Sequence, residues 1–191
     1  NTLVDTGSNR SEVYLKGTVC DNVNLIIRNG NVIDELKEEV QKFFYDVTII
    51  GGSQRDNMSH DLIQYIDSSI FVVNNFDLNK KYKILIAVND SPNNRKAIKY
   101  GVRIAQAFGV SVEAITISKT DHFGEGYKKA VKWCKKLLRR SNISFNHKFL
   151  TGDASFIINK EASDNRIIVM GSSTKNPLLK FIAGSKPLEV M

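Results

Sequence analysis

Long hydrophobic runs are absent from this 191-residue chain. No apolar stretch approaches the roughly 20 residues that a transmembrane helix needs. The first ten residues, N-T-L-V-D-T-G-S-N-R, have neither the basic flank nor the apolar stretch of a signal peptide. The sequence therefore predicts a cytoplasmic protein with no membrane segment in this chain. An initiator Met is also missing, so we expect a processed start or an excised fragment.

Cysteine and histidine are scarce, and their placement argues against a metal or redox centre. Cys20 and Cys134 lie far apart and match no metal or redox spacing, so we expect two reduced, buried thiols. His60, His122 and His147 are scattered, with no paired Cys or carboxylate at ligand spacing. No metal site is predicted.

Motifs of several enzyme classes are missing as well. The chain has no Gly-x-Ser-x-Gly nucleophile elbow. It also has no Gly-x4-Gly-Lys-Ser/Thr phosphate loop, and no acid/base pair can be identified. We therefore predict no catalytic residue and expect a protein that binds rather than an enzyme.

Positive charge is in excess, with a formal net charge of +7. Much of the excess lies in residues 128–140, K-K-A-V-K-W-C-K-K-L-L-R-R. A basic helix of this kind can meet nucleic acid or an acidic membrane surface. Because apolar residues interleave at helical spacing, we interpret it as an amphipathic helix with a solvated outer face. No nucleic-acid partner is predicted.

Short apolar strands alternate with amphipathic helices along most of the chain. The predicted strands are residues 23–27, 47–50, 69–73, 84–88, 112–117, 145–150 and 167–170, and the predicted helices are 32–44, 61–66, 92–108, 127–140 and 154–162. Residues 1–17 are predicted to be irregular, and 74–81 to be a linker. The alternation predicts parallel pairing with right-handed crossovers, which is a doubly wound α/β sheet. Such sheets bind ligands where the winding reverses.

A glycine pattern near the C-terminus is the most specific motif. The apolar run 167–170 stops at Gly171, and the pattern continues as Gly171-x2-Thr174-x9-Gly184-Ser185. A strand that runs into a Gly/Ser turn before a helix can offer backbone N–H groups to a phosphate. This spacing resembles the nucleotide signature of the universal stress protein family, Gly-x2-Gly-x9-Gly-Ser/Thr. The stretch K-I-L-I-A-V-N-D-S-P at 83–92 resembles the first strand and loop of that family.

The resemblance implies a fold and a ligand. The fold is a Rossmann-like, adenine nucleotide alpha hydrolase-like α/β domain. The ligand is ATP or AMP, bound between the first and fourth strands with no metal beyond nucleotide-associated Mg. The protein would be a homodimer that takes part in stress response or signalling through its assembly state. The residues that the resemblance places at the nucleotide site are Ala87, Val88, Asn89, Ile117, Met170, Gly171, Thr174, Gly184, Ser185 and Lys186.

Three departures from the family pattern bear on that site. Asn89 stands where the family has aspartate, so hydrogen bonding is kept and charge is lost. Within N-D-S it can equally be a turn and helix cap. Thr174 replaces the second glycine, and its β-branched side chain resists a close approach. Pro187 removes an N–H group, while Lys175 and Lys186 place positive charge nearby.

An internal repeat links the two parts of the chain. Residues 22–51 and 142–171 both run strand, Gly-polar turn, helix, strand, glycine. The turn glycine precedes the strand-end glycine by 21 residues between Gly30 and Gly51, and by 19 between Gly152 and Gly171. The earlier part therefore resembles a fainter copy of the second half of the later one.

The repeat predicts two domains. Residues 1–79 would form a partial, degenerate universal stress-like half-domain with its linker, and 80–191 a universal stress protein domain. The later copy lacks the family's final strand, so either the chain is truncated or the strand at 69–73 completes a sheet edge. Two functions remain open: a nucleotide-binding module, or an interaction scaffold that contacts a protein partner without nucleotide. A variant of the scaffold is the cytosolic regulatory domain of a cation antiporter or another transporter.

Overall fold

The structure, a computed structural model, describes residues 2–5, 24–51, 62, 66, 68–73, 77, 79–162 and 166–171. Chain packing divides the protein into two compact units, Asn1–Asn75 and Phe76–Met191. The division falls inside the stretch 74–81 that composition marks as a linker. Within the described ranges, no helix is long and apolar enough to cross a membrane.

The first unit contains parallel strand pairs and one helix with described ends. Its elements are β1 (Thr2–Asp5), β2 (Asn24–Ile27), α1 (Val32–Lys42), β3 (Val47–Gly51) and β4 (Ser69–Val73). Strand β1 pairs with β2, and β3 pairs with β4. Strand β1 contradicts the prediction that residues 1–17 are irregular, because four residues with polar ends carry no alternation that signals a strand. Strand β4 has its partner in its own unit rather than in the larger sheet described below.

Helix α1 begins and ends at identifiable residues. Asn31 is its N-cap, and the Asn31 Oδ1 accepts hydrogen bonds from the N–H groups of Ile33 and Asp34. The helix ends at Lys42 rather than at residue 44 as predicted. Phe43, which lies inside the predicted helix, has an extended backbone and is 56% exposed.

The core of the first unit contains a charged residue that the apolar pattern did not predict. Glu39 is 2% exposed and lies near the end of α1. The Arg28 Nη2 donates to Glu39 Oε2 at 2.6 Å, and the Tyr45 hydroxyl donates to Oε1 at 2.7 Å. A buried carboxylate is tolerated when it is paired and hydrogen-bonded. The apolar part of this core is formed by Val40, Ile50, Leu62 and Ile66.

The second unit is a four-stranded parallel sheet with crossover helices. Its elements are β5 (Lys83–Ala87), α2 (Pro92–Phe108), β6 (Val112–Ser118), α3 (Glu125–Arg140), β7 (Phe145–Thr151), α4 (Ala154–Glu161) and β8 (Arg166–Val169). The strand order is β7-β6-β5-β8, and every pair is parallel. The predicted boundaries agree to within two residues. The predicted doubly wound α/β fold is confirmed.

The sheet of the second unit has a core on each face. Successive side chains of a strand point to opposite faces, so Ile84 and Ile86 pack on one side while Leu85 and Ala87 pack on the other. The first face is covered by apolar residues of α2 and α3. The second face includes Ile158 of α4. Central strand β5 is therefore buried on both faces, as its unbroken apolar run predicts.

Cys134 lies in the core between α3 and the sheet and is 1% exposed. Burial raises the pKa of its thiol to about 11, against a smaller lowering by the charge of Lys135. The thiol is therefore protonated at neutral pH, as expected for a structural cysteine. Cys20 lies outside the described residues.

Candidate functional site

The winding of the four-stranded sheet in the second unit reverses at β5. The chain leaves β5 through α2 on one face of the sheet and reaches the neighbouring strand β8 through α4 on the other face. At such a switch point, the segments that follow the strands diverge and leave a crevice at their carboxyl ends. Ile86 is in register with Val169, which places the next residues, Ala87 and Met170, side by side at this edge.

Six of the ten predicted site residues are described, and the strand ends bring them to this region. They are Ala87 and Val88, which are buried, and Asn89, Ile117, Met170 and Gly171, which are half-buried. Ala87, Ile117 and Met170 belong to the core under α4. The other four predicted residues lie outside the described ones: Thr174, Gly184, Ser185 and Lys186. The glycine-serine part of the site therefore stays a prediction.

Asn94 joins the first turn of α2 to the end of β5. The residue is 1% exposed. Its Nδ2 donates to the carbonyl of Ala87 at 2.8 Å, and its Oδ1 accepts from the N–H of Asn89 at 3.1 Å. The N–H of Val88 donates to the carbonyl of Ile115 at 2.7 Å. The N–H groups of Val88 and Asn89 are therefore both used inside the protein, and neither is left for a phosphate.

The sequence patterns above did not single out Asn94, although helical periodicity contains the signal. Ile98, Val102 and Ala105 form the buried stripe of α2. Asn94 lies one turn before Ile98 on the same face. A polar side chain on that face, so close to a strand end, predicts a hydrogen bond to the strand's last backbone groups.

The loop after β5 is a tight turn that leads into α2. The Oδ1 of Asn89 accepts a hydrogen bond from the N–H of Ser91 at 2.9 Å, as in an Asx turn. Ser91 is the N-cap residue and Pro92 the first residue of α2, so the helix begins at the predicted residue. The Ser91 hydroxyl makes no cap hydrogen bond, however, and is buried without a hydrogen-bond partner among the described residues.

Gly171 lies directly against the first turn of α2. A Cβ atom added to Gly171 would stand 2.8 Å from the backbone nitrogen of Asn94 and 2.9 Å from its Cα. Both distances are shorter than a side-chain carbon tolerates, so close packing alone requires glycine here. On the other side of the loop, a Cβ on Gly126 would meet the Asp90 carboxylate at 2.6 Å. The β5 loop, the end of β8 and the starts of α2 and α3 therefore meet at one edge.

His147 lies half-buried on β7. Its Nε2 lies 3.0 Å from the hydroxyl of buried Thr116, and its ring packs edge-on against Phe149. Burial, together with the nearby charge of Lys135, lowers the pKa of His147 to about 4. The imidazole is therefore neutral at physiological pH. Its Nδ1 is buried without a hydrogen-bond partner among the described residues.

Comparison with known proteins gives matches at the level of structure. No protein-family model matches the sequence, and no curated protein is significantly similar to it. A universal stress protein from Archaeoglobus fulgidus aligns with a TM-score of 0.68 at 14% identity, covering 88% of this chain and 65% of that one. A Pseudomonas aeruginosa protein described as a candidate universal stress protein aligns with a TM-score of 0.60 at 13% identity, covering 87% and 69%. A P. aeruginosa protein of unknown function gives 0.58 at 14%, with the same coverage.

The chain therefore has a doubly wound α/β fold, and that fold is the Rossmann-like one of universal stress proteins. The resemblance of residues 83–92 and of the Gly171 pattern implied this fold, and the structure confirms it. The chain spans 65% of the Archaeoglobus protein, which is less than two thirds. At 13–14% identity the likeness is one of fold, so activity has to be argued from the site residues. The interpretation as tandem copies stays a prediction.

Proposed function

We propose that this chain is a universal stress-like protein that binds an adenine nucleotide, ATP or AMP, in the crevice between β5 and β8. The observation that carries the proposal is the meeting of residues 87–89 with Met170 and Gly171 at the switch point. Ligands of open α/β sheets bind at this place. The resemblance of the following segment to the family's glycine-serine pattern supplies the class of ligand.

The described part of the crevice suits the nucleoside better than the phosphates. Ile117 and Met170, which are half-buried, provide apolar surface for a base. The N–H groups of Val88 and Asn89 are already bonded within the protein. Phosphate binding therefore falls to the segment after Gly171, where the family spacing places Gly184 and Ser185.

The proposed activity is binding without turnover, read out through a homodimer. The six described site residues carry no titratable side chain, so none of them can act as a general acid or base. Asn89 lacks the carboxylate that a magnesium ion prefers, and its Oδ1 already accepts the N–H of Ser91. Any Mg would come with the nucleotide phosphates.

The proposal is tested by calorimetric titration of the full chain with ATP and AMP, preceded by mass spectrometry of nucleotide carried through purification. We expect ATP binding that Gly184→Val abolishes. Gly51→Val is the matched control, because a Cβ at Gly51 meets nothing within 4 Å among the described residues. Absence of heat at about 1 mM ATP, where an ordinary metabolite site would be filled, would contradict the proposal.

A second candidate is a nucleotide-free scaffold that acts through protein contacts, including as a regulatory domain of a transporter. The observation that favours it is the hydrogen bonding of the β5 loop. The Asn94 side chain bonds the Ala87 carbonyl and the Asn89 N–H beside the switch point, so these groups are not left for a ligand. Phe156 of α4, which is 70% exposed, gives it an apolar contact point on the surface. Light scattering that shows a homodimer independent of ATP would favour this candidate.

A further inference from the structure

Helices α2 and α3 cover the same face of the sheet and carry a concentration of positive charge, and we call their outer surface the basic layer. The two helices contain eleven Lys and Arg residues and one acidic residue, Glu125. The rest of the chain has 16 basic and 19 acidic residues. The basic layer therefore accounts for the whole positive excess of the protein. Ten of its eleven basic residues are exposed.

The basic residues of the layer include two regular rows. The row on α2 consists of Arg95, Lys99 and Arg103, and the row on α3 consists of Lys128, Lys132, Lys136 and Arg140. Residues four apart lie on one ridge of a helix and are separated by about 6 Å along its axis. Because both helices cross over between parallel strands, the rows run in the same direction. The α3 row alone extends over about 18 Å.

The two rows belong to one continuous surface. Residues of both helices share the core that includes Ile98, Val102, Val131 and Leu138. The guanidinium of Arg95 lies 5.9 Å from the centre of the Trp133 ring, which joins the start of α2 to the middle of α3. The layer therefore presents its charges together rather than on two separate faces.

Helix α1 of the first unit shows how a solvated helix face is built in the same protein. Its exposed face pairs Lys37 with Asp34 and Lys42 with Glu38, so opposite charges alternate at helical spacing. Like charges four residues apart destabilise a helix, whereas opposite charges stabilise it. The row on α3 repeats like charges over three successive steps, although its first member, Lys128, is paired with Glu125 at 2.9 Å. Solvation alone does not require this arrangement.

The surroundings of the α3 row favour a nucleic acid over a membrane surface. The apolar face of α3, with Val131, Cys134 and Leu138, is buried in the core and cannot insert into lipid. A shallow hollow of about 110 Å³ opens in the outer surface of α3. It is lined by Trp133, Lys136, Leu137 and Arg140. An aromatic ring between cations is a platform on which a base can stack beside bound phosphates.

We propose that the basic layer binds single-stranded nucleic acid along its phosphate backbone, with one base stacked at the Trp133 hollow. The site lies on the outer surface of α2 and α3, and the proposed nucleotide crevice lies at the carboxyl edge of the sheet. Neither proposal depends on the other. This one departs from the interpretation of residues 128–140 as a solvated face, because the sequence pattern did not show the second row beside the first.

The test is fluorescence anisotropy of a labelled oligothymidylate with the full chain, between about 50 and about 200 mM salt. For single strands, log K falls with log salt by about 0.7 for each phosphate neutralised. We expect Lys132→Gln/Lys136→Gln to reduce that slope by about 1.4 and to weaken binding at least tenfold at low salt. Bound oligonucleotide should also quench the fluorescence of Trp133, the only tryptophan.

The matched control is Lys81→Gln/Lys160→Gln, which removes the same charge from exposed positions outside the basic layer. This control should leave the salt slope unchanged, and far-UV circular dichroism should show all variants folded. No binding at low salt would overturn the proposal. Equal weakening in both double variants, or tighter binding to phosphatidylserine vesicles than to the oligonucleotide, would overturn it as well.

Discussion

The two units each end a strand in a glycine at a similar place in the sequence repeat, but the two glycines have different surroundings. A Cβ at Gly51 meets nothing within 4 Å among the described residues. A Cβ at Gly171 would press into the backbone of Asn93 and Asn94. The spacing of the repeat is therefore shared, whereas close packing of a strand end on a helix start is observed at Gly171.

The polar groups buried in the two units differ in the same way. In the first unit, Glu39 joins Arg28 to Tyr45 and supports the ends of α1. In the second unit, Asn94 bonds the backbone at the end of β5, beside the switch point. The first arrangement holds elements together, while the second shapes the edge at which this fold binds ligands. The strand-end geometry on which the nucleotide proposal rests therefore lies in the second unit.

The largest expected effect is that of Asn94→Ala. The change removes two hydrogen bonds and leaves the Ala87 carbonyl and the Asn89 N–H unpaired in a buried place. Each buried group left unpaired costs about 1–3 kcal/mol, so we expect a loss of about 3 kcal/mol in the free energy of unfolding. Urea unfolding followed by the fluorescence of Trp133, which lies in the second unit, measures it.

Asn94→Ala also sharpens the comparison through the crevice. If Asn94 shapes the edge, its loss should weaken ATP binding even under conditions in which the variant is fully folded. The corresponding change in the first unit, Glu39→Gln, should leave ATP binding untouched. A loss in unfolding free energy below about 1 kcal/mol for Asn94→Ala would show that water replaces the side chain at no cost.

The two glycines provide the second test. We expect Gly171→Ala to lower the free energy of unfolding by about 2 kcal/mol, because the added carbon must displace helix backbone rather than a flexible side chain. Gly51→Ala should be neutral or stabilising by about 0.5 kcal/mol, since it restricts the unfolded chain without a clash. Urea unfolding monitored by circular dichroism compares the two. Equal effects would remove the distinction between the units.

The helix N-caps give a smaller contrast between the two units. Here the larger loss of stability is expected in the first unit rather than in the second. The Asn31 side chain accepts the N–H of Ile33 at 3.0 Å at the start of α1, whereas the Ser91 hydroxyl caps nothing at the start of α2. Asn31→Ala should therefore cost about 1 kcal/mol, and Ser91→Ala less than about 0.5 kcal/mol. Amide hydrogen exchange measured on peptides from each helix separates the two effects. A cost at Ser91 equal to that at Asn31 would contradict the structure of the β5 loop.

Much of the second unit could be predicted because its physics is local and periodic. The apolar run of β5 predicts a buried strand. The spacing of Ile98, Val102 and Ala105 predicts a helix with one buried face. The alternation of strands and helices then fixes parallel pairing and the switch point. Those steps predict the switch-point edge, whereas the choice of site residues at that edge came from the family resemblance and stays a prediction.

What could not be predicted depends on tertiary contacts. The four residues of β1 carry no alternation, and their strand is defined by pairing with β2. Glu39 is buried because Arg28 and Tyr45 reach it from neighbouring elements, which composition does not reveal. The predicted helix 32–44 runs two residues past the end of α1, where the backbone of Phe43 is already extended. The bonding of Asn94 likewise depends on how the helix lies against the strand.

The two units also differ in their ion pairs. In the first unit, Arg28 contacts Glu35, Glu38 and Glu39, and Glu38 is also paired with Lys42. In the second unit, two cations and two carboxylates alternate: Glu113 contacts Lys148 at 2.5 Å and Arg166 at 2.9 Å, and Glu161 contacts the same two cations. This set joins β6 to β7, β8 and α4. It therefore holds the strands of the larger sheet in register.

The pH dependence contributed by Glu113 is expected to be similar in size to the effect of the Asn31 cap. The hydrogen bond from Lys148 lowers the pKa of the Glu113 carboxyl below its ordinary value of 4.5, and the charge of Arg166 adds to this against partial burial. A lowered pKa in the folded protein stabilises it at pH values above the ordinary pKa, and that stabilisation is lost as pH falls through the folded-state pKa.

We expect Glu113→Gln to lower the free energy of unfolding by about 1 kcal/mol at pH 7. Because the native carboxyl is protonated at low pH, the difference should shrink as pH falls below 4.5 and vanish once pH lies below the lowered folded-state pKa. Urea unfolding across this range, with exposed Glu125→Gln as the control, tests it. A difference that persists unchanged at low pH would mean that Glu113 contributes through packing rather than through its charge.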